Sequence, residues 1–250
     1  MRLLIDGHVH TSYCHHAVGS MAEYVRAALG RGLGKIVFLE HLEKGIDYSE
    51  PTWLSEEEFA AFFAEGERLR REYAGRIEIG LGVEVGYNPE AVAELLEFLG
   101  RYRWDRIGLS HHFLRAGKEH LCMVSTRRRN LDLASAMGVA EVVRRYYAGL
   151  AEAIEIFPAQ VVCHLDAVLR SHPDIGLVDQ RPYLEPILTR MAEKDIALEV
   201  NTSGYAMRGQ PFPDESVLQR AARLGIRLWP GSDAHRPEDV GRYFERLRSG

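Results

Sequence analysis

Seven short apolar runs recur along the chain, each followed by a stretch with helical character and each ending on side chains that can bind a cation or a phosphate. Leu3–Asp6, Lys35–Leu39, Ile77–Val83, Arg106–Ser110, Gln160–Cys163, Ala197–Val200 and Ile226–Trp229 are the strand candidates. Runs of this length and apolarity suit the buried strands of a parallel sheet. The helices between them carry start signals. Ser20-Met21-Ala22-Glu23 and Ser55-Glu56-Glu57-Glu58 are capping boxes, and Asn88-Pro89-Glu90 offers an N-cap with proline at the first helical position. Further helices are predicted from Leu133 to about Ile156, over Arg181–Lys194, over Glu215–Leu224 and over Pro237–Arg248. Repeated βα units close into a barrel or open into a doubly wound sheet. No GxGxxG or GxxxxGK loop follows a strand, which lowers the nucleotide-binding open sheet. A barrel would gather the C-terminal ends of all its strands at one mouth, where barrel chemistry collects.

The strand ends are the chemical signal. In order they read His8-Val9-His10, Glu40-His41, Glu84, His111-His112, His164-Leu165-Asp166, Glu199-Val200-Asn201 and Asp233-Ala234-His235. Residues i and i+2 of an extended chain share a side, so His8 with His10, and Asp233 with His235, can reach one ion. A single His-x-His triplet arises often by chance. The weight lies in seven equivalent positions that only a barrel would bring together. Mixed imidazole and carboxylate donors suit zinc, manganese or iron. Glu84 is a natural bridging ligand, and two ions about 3.5–4 Å apart can generate hydroxide near neutral pH and clamp a phosphoryl oxygen. No serine or cysteine nucleophile accompanies the set, which favours direct attack by metal-activated water. His15 and His16 are adjacent, as are His111 and His112; neighbours on a strand face opposite ways, so one of each pair is a bystander.

Composition sets the bounds. A chain of 250 residues suits one barrel domain, taken as 1–250. Its 46% hydrophobic and 27% charged content is that of a globular protein. The net charge of −5 argues against a nucleic-acid surface but permits a small phosphorylated substrate, because bound cations reverse the local sign. No run of about 18 apolar residues is present, so no membrane span is expected. Three cysteines without a framework point to a reducing cytoplasm.

Taken together, Asp6-Gly7-His8-Val9-His10-Thr11, Cys14-His15-His16, Glu40-His41, Gly82-Val83-Glu84-Val85, Ser110-His111-His112-Phe113-Leu114-Arg115, His164-Leu165, Glu199-Val200-Asn201-Thr202-Ser203-Gly204 and Gly231-Ser232-Asp233-Ala234-His235-Arg236-Pro237 resemble the PHP family, named after polymerases and histidinol phosphatases. Within it the similarity is greatest to bacterial histidinol-phosphate phosphatases. The resemblance implies a distorted (β/α)7 TIM-like barrel of PHP type with three divalent ions, zinc, manganese or iron. It implies His8, His10, Glu84 and Asp233 around the first ion, Glu84, His112 and His164 around the second, and His16, His41 and His235 around the third. It selects His16 over His15 and His112 over His111. It also implies hydrolysis of L-histidinol phosphate to L-histidinol and phosphate by a metal-activated hydroxide. A nucleotide or another small phosphoester is the alternative substrate.

Arg115 and Arg208 are candidates to bind phosphate through the guanidinium fork. With the metals, Arg115 would neutralise charge on the equatorial oxygens. Asp233 and His235 are candidates to protonate the leaving alkoxide. Asn201 and Ser203 could contact the amino alcohol or cap their loop. His120 and His172 are expected at the surface, and Arg127-Arg128-Arg129 in a solvated loop. A non-catalytic polymerase-type barrel is disfavoured by the full donor set. An amidohydrolase-like enzyme is disfavoured because Lys35, Lys44, Lys118 and Lys194 all miss the predicted strand ends.

Overall fold

The computed structural model describes residues 5–248. Leu3 and Leu4, which begin the first predicted strand, lie outside the described residues. Seven parallel strands run in the order β1 (Ile5–Val9), β2 (Lys35–Leu42), β3 (Glu78–Gly86), β4 (Arg106–Ser110), β7 (Val161–Val162), β8 (Ala197–Asn201) and β9 (Leu228–Gly231). The two ends of this sheet meet. Asp233 N donates to His8 O and His10 N donates to Ala234 O, both at 2.9 Å, just beyond the C-terminal end of β9. Asp6 fastens the same seam by accepting from Ser232 N at 2.9 Å and from Gly241 N at 2.7 Å. The result is a distorted, nearly closed barrel. Strand order follows chain order throughout, as expected for successive right-handed βα units.

The barrel interior is narrow. Val37, Leu39, Val161, Cys163 and Ala197 fill it with Trp229 against them. β3 makes room by presenting glycine. A Cβ on Gly82 would stand 2.6 Å from both Arg106 O and Leu39 Cδ2. Backbone cannot retreat from such a clash, so Gly82→Ala is expected to destabilise the fold by about 1–3 kcal/mol or more. Urea denaturation checks this: an unchanged midpoint would contradict the packing described here.

The helices start largely where their capping residues direct. α1 (Met21–Gly30) follows Ser20, whose N–H donates to Glu23 at 2.7 Å. α2 (Glu56–Glu72) follows Ser55, which exchanges hydrogen bonds with Glu58. α3 (Val92–Leu99) begins later than Asn88-Pro89 predicts. Asn88 instead donates to Lys44 O at 2.9 Å and accepts from Glu90 N, tying the exit of β3 to the loop after β2. The long predicted helix is two, α4 (Arg128–Met137) and α5 (Val139–Ile156), because Gly138 sits at φ 87°. α6 (Arg181–Glu193), α7 (Gly204–Arg208) and α8 (Glu215–Arg223) complete the set. The predicted last helix is two short 3-10 turns, Pro237–Asp239 and Phe244–Arg248, separated by positive φ at Gly241 and Tyr243.

One element has no counterpart among the predicted units. After β4 the chain forms an antiparallel hairpin, β5 (Phe113–Ala116) and β6 (Glu119–Cys122). Two expectations are corrected nearby. His120 and His172 are buried, not at the surface. His120 Nδ1 accepts from Asp47 N at 3.0 Å, and His172 Nδ1 accepts from Asp174 N at 3.2 Å, so each ring serves as a fixed acceptor for a loop. Arg127, Arg128 and Arg129 are exposed but paired with Glu50, Asp132 and Glu119. Among the described residues no helix is long and apolar enough to cross a membrane.

Candidate metal centre

Six of the seven parallel strands deliver donor side chains to one mouth. β1 supplies His8 and leads to His10, β2 supplies His41, and β3 supplies Glu84. His112 follows β4, His164 follows β7, and Asp233 and His235 follow β9. Four donors about 2.0–2.1 Å from one tetrahedral ion stand roughly 3.3 Å apart. The atoms here approach that spacing. His8 Nε2 lies 2.9 Å from His10 Nε2 and 3.5 Å from Glu84 Oε2. His10 Nε2 lies 3.6 Å from Glu84 Oε2 and 3.3 Å from Asp233 Oδ1, and His8 Nε2 lies 4.0 Å from Asp233 Oδ1. On the other side of the same carboxylate, Glu84 Oε1 is 2.8 Å from His164 Nε2 and 3.3 Å from His112 Nε2, and the two imidazole nitrogens are 3.4 Å apart. Glu84 therefore has one oxygen in each of two donor clusters.

A third group lies at the rim. His10, His41 and His235 bring donor atoms together, as do Cys14, His16 and His235. The His16 ring centroid is 4.5 Å from that of His235 and 5.3 Å from that of His41. His16 is exposed, unlike the donors of the first two groups.

The adjacent histidines separate cleanly. His15 adopts φ 63°, which turns the chain so that His16 faces the cluster while His15 points outward to Glu58 at 3.2 Å. His111 turns away from the mouth, with Nδ1 donating to Tyr146 O at 3.0 Å. Two donor residues also carry positive φ, His164 at 26° and Asp233 at 51°. Non-glycine residues hold such conformations at a cost of roughly 1–3 kcal/mol, and they concentrate at functional sites.

Electrostatics divide the donors. Burial opposes the charge of Glu84, yet His112, His8, His41 and His164 together hold its carboxyl well below the usual range. His8 and His112 are pulled the opposite way from burial. Glu199 and Glu84 raise His8 well above the usual imidazole range, and Glu84 and Glu43 raise His112 to about 10. Burial, with neighbouring imidazoles opposing charge, keeps His10 well below its ordinary value and His235 near 4. Among the described residues, His10 Nδ1, His164 Nδ1 and His235 Nε2 are buried without a hydrogen-bond partner, and Glu84 Oε2 accepts no well-aligned bond although His41 Nδ1 stands 2.9 Å away. Buried polar groups are ordinarily satisfied. Crowded imidazoles around unsatisfied carboxylate oxygens fit divalent cations.

Two carboxylates support the donors: Glu199, which the sequence places at the sixth strand end without a role, and Glu43, which it does not mark. Glu199 Oε1 lies 2.6 Å from His8 Nδ1, and Glu43 Oε1 lies 2.9 Å from His112 Nδ1. Glu40, noted at the end of the second strand, accepts from Thr11 N at 2.9 Å; burial pushes its carboxyl up to about 8 against those hydrogen bonds.

The remaining predicted residues are placed as follows. Asn201 Nδ2 donates to Glu199 Oε2 at 3.1 Å and to Asp233 Oδ2 at 3.4 Å, while its Oδ1 accepts from Ser203 N and Oγ. This pair braces donors and turns the chain into α7. Arg208 binds Asp166 Oδ2 at 2.9 Å and stacks over Phe212, its guanidinium carbon 4.1 Å from the ring centroid. Arg115 is on the hairpin, partly exposed, 3.4 Å from Glu90.

The profile of the PHP domain matches residues 6–203. The chain belongs to the PHP domain family. Among its PHP relatives, the histidinol-phosphatase of Bacillus subtilis is 30% identical over 259 residues, covering 96% of each chain. A crystal structure from Listeria monocytogenes aligns with a TM-score of 0.86 at 21% identity, covering 97% of this chain and 99% of that one. The histidinol phosphate phosphatase of Lactococcus lactis, solved with zinc, L-histidinol and phosphate, aligns with a TM-score of 0.76 at 21% identity, covering 98% and 92%. These structural likenesses carry the barrel fold, and the sequence matches carry the family.

Proposed function

We propose that this PHP chain is a metal-dependent phosphomonoesterase that hydrolyses L-histidinol phosphate to L-histidinol and phosphate. The observation that carries the reading is Glu84, with one carboxylate oxygen in each of two buried imidazole clusters. The named activity of the Bacillus subtilis relative and the contents of the Lactococcus lactis structure support the substrate.

We assign His8, His10, Glu84 and Asp233 to a first divalent ion, Glu84, His112 and His164 to a second, and His16, His41 and His235 to a third. Zinc, manganese and iron all suit these donors. When bound, such ions supply Lewis acidity toward a phosphoryl oxygen and make water acidic enough to ionise near neutral pH. The chain's own residues do the rest. Glu84 fixes the spacing of the first two positions. Asp233 and His235, with Oδ1 and Nδ1 3.6 Å apart, are the residues we assign to pass a proton to the departing alkoxide oxygen. Arg115 and Arg208 are the guanidiniums assigned to the phosphoryl group. Arg208 is already oriented by Asp166, two residues beyond His164. A cytoplasmic setting belongs to this reading, and Cys14, Cys122 and Cys163 are free thiols.

Steady-state kinetics test the substrate. kcat/KM for L-histidinol phosphate is expected to exceed that for an aryl phosphate or a nucleoside monophosphate by about 10²-fold or more, the discrimination that polar recognition of a substrate supports. Equal turnover of all three would remove the substrate assignment and leave the phosphatase chemistry standing.

A further inference from the structure

The imidazoles of the centre differ in what stands behind them. Behind His8 is Glu199, at 2.6 Å from Nδ1. Its other oxygen accepts from His164 N at 2.7 Å and from Asn201 Nδ2 at 3.1 Å, so one carboxylate aligns side chain and backbone from three strand ends. Behind His112 is Glu43, at 2.9 Å from Nδ1, with Ser110 Oγ at 3.3 Å. Both carboxylates are buried. Each occupies space that a glycine leaves open: a Cβ on Gly231 would overlap the Glu199 carboxylate, and a Cβ on Gly86 would overlap that of Glu43. These are built positions, with the neighbouring strand shaped to admit the acid.

At the rim the backing is weaker. His16 Nδ1 donates to Cys14 O at 2.9 Å and His235 Nδ1 donates to Asp233 O at 3.0 Å, both neutral carbonyls. His41 Nδ1 lies 2.9 Å from Glu84 Oε2, but that oxygen is already shared with His8 and His10. The rim set contains three imidazoles and no carboxylate of its own. His16 is exposed and the His235 side chain retains 29% of its accessible surface.

A carboxylate that accepts the second ring N–H of a ligating histidine fixes its tautomer and orientation and raises its basicity. Loss of such a partner typically costs 10–100-fold in metal affinity. Anionic donors in a buried site also attract a dication more strongly than neutral donors beside water. Building on the ion assignment above, we propose that Glu43 and Glu199 are positioning residues that make the first two ion positions tight. The position at His16, His41 and His235 is then the labile one, filled only when free metal is abundant.

The test reads metal, with activity as a secondary measure. The full chain is loaded with excess Zn²⁺, passed through a graded series of a chromophoric chelator, and its bound zinc counted by mass spectrometry. The wild type is expected to lose one ion early and two late. H16A is expected to lack the early ion and keep both late ones. E199Q and E43Q, which preserve shape and an acceptor oxygen, are each expected to release one of the late ions at 10–100-fold lower chelator. Circular dichroism of each metal-free variant establishes folding, and if one glutamine variant fails to fold the other and H16A still decide. Three ions leaving in a single phase, H16A losing a late ion, or folded glutamine variants releasing zinc like the wild type would each overturn the inference. Failure of the underlying ion assignment looks different: H8A and H112A would then hold zinc as the wild type does.

Discussion

Glu84→Gln is expected to lower kcat/KM by about 10⁴-fold, on the scale seen when a member of a catalytic unit is removed, and to reduce the bound metal. The reason lies in how many groups converge on this one carboxylate. Its Oε1 faces His164 at 2.8 Å and His112 at 3.3 Å; its Oε2 faces His41 at 2.9 Å, His8 at 3.5 Å and His10 at 3.6 Å. It is fully buried, so no solvent replaces what the charge supplies. Glutamine keeps the volume but removes the negative charge and turns one acceptor into a donor aimed at imidazole nitrogens. Two donor clusters fail together, where loss of a peripheral histidine would weaken one. Initial-rate assays with L-histidinol phosphate, paired with metal counting on the same sample, check both halves. Activity within about tenfold of the wild type would mean that Glu84 is not shared between ions.

Much of this arrangement is legible in the sequence, for a specific reason. Strand ends in a parallel barrel are both apolar and functional, so each run followed by histidine or an acid marks an element and a site at once. Alternation left His15 and His16 open and the family resemblance selected His16; the structure turns His16 toward the cluster through a left-handed residue at His15. What stayed hidden depends on distant partners. Glu199 acts on a histidine 191 residues away and Glu43 on one 69 residues away, and no local pattern encodes those pairings. Glu43 did carry a weak signal, since it stands two residues beyond His41 and shares its side of an extended chain. The hairpin β5–β6 was missed although Leu114 and Leu121 flank a turn at Gly117, because the segment follows a ligand-bearing strand and resembles a loop there. His120 and His172 were misplaced because their burial comes from loops folding over them, which periodicity does not report.

Removing metal should have the largest effect of any treatment. Exhaustive dialysis against a strong chelator is expected to abolish phosphate release from L-histidinol phosphate, with Mn²⁺ or Zn²⁺ restoring it. Stability should fall as well, since ions that bind only the folded chain stabilise it by about 4 kcal/mol at a thousandfold excess over Kd. For a chain of this size that corresponds to a drop in Tm of roughly 8–16 °C. The sign of the pH dependence follows from the donors. Glu199, Glu84 and Glu43 shift His8 and His112 upward against the effect of burial, so an incoming cation competes with protons for these rings. Rebinding should therefore weaken as pH falls and release protons as it proceeds, which calorimetry in buffers of different ionisation heat detects. Glu199 and Glu43, which face the Nδ1 atoms of His8 and His112, would keep those partners with metal bound. Full turnover by protein holding far less than one ion per chain would sink the mechanism. Turnover lost with the metal but not recovered with Mn²⁺ or Zn²⁺, while circular dichroism stays native, would exclude these two cations as the ones the reaction uses.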